Sequence, residues 1–104
     1  MIVEVERFED AGTKDADGFY DYYYAGRLIH FALADMVITA RIYDDTPHRA
    51  SLISPTVRGI ARPFDALSVR GPAVDAVCAH LRDVLGVTEV VAFVDGEYRR
   101  LWPS

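Results

Sequence analysis

An acid, a base and a hydroxyl are the residues of this chain whose types and spacing could support chemistry. We predict a β-hairpin that reverses in a two-residue loop at Ala25-Gly26. In that register Asp21, His30 and Thr39 lie side by side on three adjacent strands, in the order of an orienting carboxylate, a base and a nucleophile. A cross-strand ion pair beside a threonine is the alternative, and sheets form such pairs routinely. Because no nucleophile turn or oxyanion donor pair is recognisable nearby, the ion pair is favoured.

The stretch before the predicted reversal, "GFYDYYYAGR", contains four tyrosines. The two-residue loop places three of them on the core face as strand formers with buried rings. A three-residue loop with Gly26 as a bulge would bury the carboxylate of Asp21 instead, which is costly. The alternative is an aromatic surface for a protein partner. The tyrosines predicted on the core face are Tyr20, Tyr22 and Tyr24. The candidate binding residues of the alternative are all four tyrosines, Tyr20, Tyr22, Tyr23 and Tyr24.

Arginines dominate the middle of the chain. Residues 46–70 contain four of them against a single carboxylate, Asp65. This segment is where an anionic group or an acidic partner surface would bind, with solvated surface charge as the alternative. Its spacing matches no phosphate-binding loop. The arginines are Arg49, Arg58, Arg62 and Arg70; we take Arg58, Arg62 and the C-terminal Trp102 as candidate binding residues.

Two other groups of reactive residues are better explained by structure. Asp44, Asp45 and His48 could supply ligands to a divalent ion, but the aspartates are typical turn residues, so we predict no metal site. Cys78 falls on the apolar stripe of a predicted helix, where it acts as a small core residue. His80 falls on the polar side of that helix. No cofactor motif is present in the sequence.

Composition bounds the class of protein. A chain of 104 residues with 51% hydrophobic and 26% charged residues is typical of a single globular domain. The net charge of −5 argues against a general nucleic-acid binder. No apolar stretch approaches the length of a membrane span, and the single cysteine excludes an internal disulfide. We therefore expect a cytoplasmic protein that binds neither nucleic acid nor membranes.

The elements that must position these residues follow from periodicity. Alternation over residues 1–8 predicts a half-buried first strand with Met1, Val3 and Val5 on its apolar side. A meander follows, with a two-residue loop at Ala34-Asp35 and a reversal at Thr46-Pro47. The predicted meander strands are 19–24, 27–33, 36–44 and 49–54, with residues 9–18 as a loop. On the core side, the predicted pairs are Leu33 with Met36, Phe31 with Ile38 and Ile29 with Ala40. On the opposite side, they are Leu28 with Arg41, His30 with Thr39 and Ala32 with Val37.

The second half of the chain predicts a helix and a hairpin. Residues 55–71 are expected to form one short strand and irregular chain, although Val57, Ile60, Phe64 and Leu67 require burial. Apolar residues at three- and four-residue spacing predict a helix of about four turns from Pro72 to a stop at Gly86. Asp95-Gly96 predicts a final hairpin in which Phe93 faces Tyr98 and Val91 faces Arg100. The fold class is therefore α+β: a mostly antiparallel meander of about five strands, one helix packed on the sheet, and a C-terminal β-hairpin.

These features favour a small non-enzymatic protein–protein interaction domain, either a homodimer or an acidic, inhibitor-like partner of another protein. The alternative is a small enzyme or ligand carrier that uses the concave face of the sheet, with His30, Asp21 and Tyr23 on its wall.

Overall fold

The computed structural model describes residues 1–20 and 23–103. It has the predicted α+β fold, in which a mostly antiparallel sheet is followed by a helix and a C-terminal strand pair. The elements are β1 Ile2–Ala11, β2 Tyr23–Leu33, β3 Met36–Tyr43, β4 Arg49–Val57, β5 Ile60–Ala61, α1 Pro72–Asp83, β6 Glu89–Val94 and β7 Glu97–Trp102, with a 3-10 turn at Ser68–Arg70.

The strand order is β1-β2-β3-β4-β6-β7, and the short β5 pairs with β4 beside this path. Strands joined by tight turns pair antiparallel. Strands β4 and β6 pair in parallel, because the chain between them crosses one face of the sheet as α1 and returns in the same direction. The helix therefore covers one face of the sheet.

The predicted core register is confirmed. Leu33 pairs with Met36, Phe31 with Ile38 and Ile29 with Ala40, and the loop between them is Ala34-Asp35, where Ala34 has a φ of 49°. The last hairpin is also confirmed: Phe93 pairs with Tyr98 around Asp95-Gly96, whose φ values are 50° and 85°. The positive φ values at both reversals match the twist that two-residue hairpins require.

Helix α1 buries most of its predicted apolar stripe against the sheet; Val84 and Leu85, which were expected to continue the stripe, follow the helix, and Val84 is exposed. Its buried residues are Val74, Val77, Cys78 and Leu81. The helix ends three residues before Gly86, whose φ of 70° reverses the chain so that the amide of Val87 donates to the carbonyl of Leu81. His80 differs from its predicted polar setting, because its ring lies edge-on to Phe31 at 5.4 Å. Within the described part of the chain, no helix has the length and apolarity that crossing a membrane requires.

The predicted reversal at Ala25-Gly26 is wrong. Strand β2 runs continuously through Gly26, which pairs with Phe8 of β1 and with Tyr43 of β3. A Cβ atom at Gly26 would lie 2.2 Å from the carbonyl oxygen of Ile42, so glycine is needed here for close backbone approach and not for a turn.

The reversal between β1 and β2 lies earlier in the chain. Lys14 and Tyr20 form a bridge across it, and the carboxylate of Asp15 accepts hydrogen bonds from the amides of Asp17 and Phe19. An aspartate that accepts local amide hydrogen bonds is a common way to close a turn. The first two strands therefore form one long hairpin that includes much of the predicted loop.

Edge position explains why burial in β1 departs from prediction. Val3 is half-buried against the core, but Met1 and Val5 remain exposed. Strand β1 pairs on one side only, and it lies at the border of the sheet. A residue there lacks the second neighbouring strand that would complete its burial.

Residues 55–71 follow the predicted pattern of short strand and irregular chain, with two exceptions in burial. Phe64 is buried and bridges Val94 of β6, as its apolar ring requires. Ile60 and Leu67 are exposed, contrary to expectation, because β5 forms only a two-residue pairing and Leu67 lies in a turn. The carboxylate of Asp65 accepts hydrogen bonds from the amides of Leu67 and Ser68 in that turn.

Replacing Gly26 by Ala should destabilise the protein by about 1–3 kcal/mol, since the added methyl group can be placed only by separating β2 from β3. Gly71→Ala is the control, because the Cβ atom there meets nothing closer than the carbonyl oxygen of Ser68 at 3.3 Å. Urea unfolding measures both. A Gly26 variant no less stable than the Gly71 variant would contradict the close approach.

Candidate functional site

The face of the sheet opposite α1 is not covered by any other described element. Along each strand, residues alternate between the helix-covered core and this second face. We call it the open face; its central residues are Glu4, Glu6, Leu28, His30, Thr39, Arg41, Tyr43, Ser51, Ile53, Val91, Phe93, Tyr98 and Arg100.

One row of the open face crosses all six principal strands. Its six side chains run from an acidic residue on β1 to a basic residue on β7, with an arginine on β3 and apolar or small polar residues at the other positions. Each neighbouring pair is in direct register. In order the row is Glu6, Leu28, Arg41, Ser51, Val91 and Arg100, and we call it the central row.

A hydrogen-bonded chain of three side chains joins the central row to the next row of the open face. His30 Nδ1 lies 2.7 Å from Thr39 Oγ1, and His30 Nε2 lies 2.8 Å from Glu6 Oε1. The predicted neighbours His30 and Thr39 are therefore in contact, and the carboxylate at the imidazole is Glu6 of β1. Asp21, the acid predicted there, lies outside the described residues, and the hairpin that was to bring it to His30 is not formed.

Arg41 stands at the centre of the open face without a carboxylate partner among the described residues. Its guanidinium carbon lies 5.1 Å from the centre of the Tyr43 ring. The Nε atom is buried and has no hydrogen-bond partner in the described part of the chain. Buried donors are normally satisfied, so this Nε atom is an exception among the described residues. Arg41 lines a groove of about 340 Å³ with Ser51, Leu52, Ile53, Ser54, Phe93 and Tyr98.

The β6–β7 side of the open face is aromatic. The rings of Phe93 and Tyr98 meet edge to face with centres 5.2 Å apart. Their side chains are nevertheless 53% and 71% exposed. Val91 lies between them and the centre, and it is buried without belonging to the core beneath α1. The open face thus carries an apolar patch of its own.

The described tyrosines of the stretch at 18–27 are not core residues. Tyr20, Tyr23 and Tyr24 are each about half exposed, since they lie on the far part of the long hairpin, away from the helix; Tyr22 lies outside the described residues. The ring of Tyr20 lies 5.9 Å from that of Tyr23, and Tyr24 lies 5.6 Å from Tyr43. Burial and the nearby carboxylate of Glu9 raise the pKa of Tyr23. Tyr23 and Tyr24 line a groove of about 240 Å³ with Ala25, Tyr43, Asp44 and Asp45.

An ion pair fastens β1 to the turn after β3. Both terminal nitrogens of Arg7 donate to the carboxylate of Asp44, at 2.8 and 2.7 Å. Hydrogen bonding and charge from Arg7 lower the pKa of Asp44. The carboxylate of Asp44 is thus paired with an arginine and not with a metal ion. No cluster of three metal-ligating side chains occurs among the described residues.

The other predicted binding residues are dispersed. Arg58 pairs with Asp35, and Arg49 pairs with Glu89, so two of the four central arginines are neutralised within the chain. Arg62 is exposed beside β5. Trp102 is partly buried against the core, with the guanidinium of Arg82 stacked on its ring at 5.5 Å. Cys78 is buried in the core as predicted, and burial raises the pKa of its thiol.

Sequence reasoning missed the role of β1. Glu6 contacts His30 only because β1 lies beside β2, and nothing local marks that pairing. The turn residues Asp15 and Gly18 were the available signal, since a reversal there would have placed the alternating glutamates of β1 next to β2. Arg41 and Arg100 were placed on their strands, but the row that joins them depends on the order of β4, β6 and β7.

Thr39→Val should lower the free energy of unfolding by up to about 1 kcal/mol, because His30 Nδ1 loses its partner while the shape of the side chain is kept. Thr56→Val is the matched control, since the hydroxyl of Thr56 bonds to no described residue. Chemical denaturation distinguishes the two. Equal losses in both variants would contradict a structural role for the Glu6–His30–Thr39 chain.

Asp44→Asn should lower the melting temperature at neutral pH and make it less sensitive to acid. The pKa of Asp44 is lower in the folded state than in the unfolded chain, so its contribution is complete above the ordinary aspartate pKa of about 3.9 and disappears as the pH falls through the folded value. The melting temperatures of wild type and variant should therefore converge in acid.

The control for this change is Asp45→Asn, because Asp45 forms no ion pair with any described residue. Melting curves between pH 7 and pH 3, followed by circular dichroism, compare the three proteins. A difference between wild type and the Asp44 variant that stays constant across this range would exclude the ion pair with Arg7 as its cause.

No family model, no curated protein and no solved structure matches this chain in the comparisons with known proteins. Its function has to be inferred from the open face and from the residues exposed there.

Proposed function

We propose that the protein is a protein–protein interaction domain and that the open face is its docking surface. The observation that carries the proposal is a seven-stranded sheet with a helix on one side and exposed aromatic side chains on the other. Exposed apolar area on one contiguous face is characteristic of interaction sites. Phe93 and Tyr98 supply the rings, and Val91 supplies the apolar floor beside them.

Arg41 supports the same function. Tyrosine and arginine are enriched among the residues that dominate binding energy at protein interfaces. Here an arginine without a carboxylate partner in the described chain lies in a groove with Phe93 and Tyr98. A partner that supplies an acceptor could bind the terminal nitrogens of the Arg41 guanidinium, which donate to no described residue, and exclusion of water would strengthen that bond.

The groove also has the shape of an interface more than that of a ligand pocket. It shares Arg41, Ser51 and Tyr98 with a second groove of about 260 Å³, which Tyr43, Thr46 and Arg49 also line. Small-molecule sites enclose most of their ligand. A wide, shallow surface of mixed apolar and charged residues is better matched by another protein surface.

Catalysis at His30 is the second candidate function. The observation in its favour is the hydrogen-bonded chain of Glu6, His30 and Thr39, which has the residue types of a nucleophilic triad. Thr39 lies within β3, however, where backbone amides point towards neighbouring strands and not out of the face. Such amides cannot stabilise an oxyanion formed above the sheet. The same chain of contacts serves equally as a cross-strand brace.

Photo-crosslinking tests the docking function. A photoreactive phenylalanine analogue replaces Phe93 on the open face in one protein, and Val84 in another. Val84 is 65% exposed and directly follows α1, on the other side of the molecule. After irradiation in the native cell, we expect protein adducts from position 93 and none from position 84.

The adduct partner is then identified by mass spectrometry, purified and titrated against the domain. Tyr98→Ala should weaken its binding about tenfold or more, as loss of a central aromatic does at many interfaces. Val84→Ala should leave the affinity unchanged. Equal adducts at both positions, or full affinity in the Tyr98 variant, would overturn the proposed docking surface.

A further inference from the structure

We infer that the partner of the open face is a second copy of this chain, related by a two-fold axis that runs parallel to the strands between β3 and β4. This inference rests on the proposed docking function and names its partner. What carries it is the distribution of charge along the central row. An isologous dimer requires a surface that is complementary to itself.

The axis reverses the order of strands in the facing sheet. Strand β1 of one copy then lies over β7 of the other, β2 over β6, and β3 over β4. In the central row, the first residue of one copy therefore faces the sixth residue of the other, the second faces the fifth, and the third faces the fourth. A two-fold axis across the strands would instead place β1 over β1, with acidic residues facing acidic residues.

Each of the resulting contacts is favourable. Glu6 meets Arg100 of the second copy, and no described carboxylate pairs with Arg100 in its own chain. Leu28 meets Val91, which gives an apolar pair. Arg41 meets Ser51, whose hydroxyl can accept from the terminal nitrogens of the guanidinium, which donate to no described residue. Every contact occurs twice, so the dimer gains two ion pairs, two apolar pairs and two polar pairs from one row.

The packing geometry of sheets is compatible with this arrangement. Facing sheets lie about 10 Å apart and are rotated by about 30° relative to each other. That rotation displaces the outer strands by about two residues along their length. Glu4 and Glu6 are two residues apart on the same face of β1. If the rotation shifts Arg100 of the second copy along β1 from Glu6 towards Glu4, Arg100 therefore still meets a carboxylate.

The net charge of −5 opposes self-association only at long range. At physiological ionic strength, charges more than about 8 Å apart are largely screened. Within the open face, the acidic side chains of β1 and the basic side chains of β3 and β7 are separated in space, and the proposed dimer brings opposite signs together. The local pairing therefore determines whether two copies associate.

Charge exchange between the ends of the row tests the inference. Glu6→Arg places an arginine opposite Arg100 of the second copy, and Arg100→Glu places a glutamate opposite Glu6. Each variant alone should dimerise at least about tenfold more weakly than wild type, because both symmetric contacts become repulsive. An equimolar mixture of the two should form a heterodimer, since every contact between the unlike chains again joins opposite charges.

The measurement is sedimentation equilibrium of the wild type, of each variant and of their mixture over a range of protein concentrations, with circular dichroism to confirm that each is folded. A matched control exchanges charges on the helix side, Arg82→Glu and Asp83→Arg, and should leave wild-type dimerisation unchanged. Restoration by mixing shows that neither substitution acts by unfolding the chain.

Two results would overturn the inference. A wild type that is monomeric at every concentration excludes a second copy as the partner, while adducts at position 93 with a different protein would still support docking. Variants that dimerise as well as wild type would show that self-association uses another surface. Absence of any adduct at position 93 together with monomeric behaviour would overturn both the inference and the proposed function.

Discussion

The structure depends on the width of one helix. An α-helix with its side chains is about 10 Å across, whereas six paired strands span roughly 24 Å. Helix α1 can therefore cover only the middle of one face, where it buries the apolar side chains of β2, β3, β4 and β6. The strands at the two borders extend past this cover, and the reverse face receives none from the described chain. The exposed aromatic residues and the half-exposed tyrosines are both consequences of this mismatch.

The open face combines two kinds of interaction that have different ranges. Its apolar side chains lie towards β6 and β7, whereas its carboxylates lie on β1. Hydrophobic contact provides most of the free energy of protein association and has little directional preference. Charge arrangement provides orientation and discrimination among partners. In the proposed dimer, these two interactions together would set the direction in which the second sheet lies on the open face, besides offering area to bury.

Much of the fold could be predicted because its strongest signals are local. Asp95-Gly96 and Ala34-Asp35 form tight loops whose backbone angles few residue pairs adopt easily, and they determine the register of the strands on each side. The helix that ends before Gly86 was also predictable, from the three- and four-residue spacing of its apolar residues. Gly26 could not be interpreted in this way, because a glycine that permits a turn and a glycine that permits close strand contact look the same in sequence. The candidate site followed the same division: His30 beside Thr39 was predictable from a local hairpin, whereas Glu6 beside His30 required the position of β1.

The parallel pairing of β4 with β6 has a kinetic consequence. The hairpins β1–β2, β2–β3 and β6–β7 join residues that are close in sequence, and little chain entropy is lost when they close. Pairing Arg49 with Glu89 closes a loop of some forty residues. Because α1 lies within that loop, β4 and β6 can pair in parallel only when the helix crosses the face of the sheet. Contacts of high sequence separation slow folding. We therefore expect the four-strand meander and the helix with its hairpin to join late in folding, along β4.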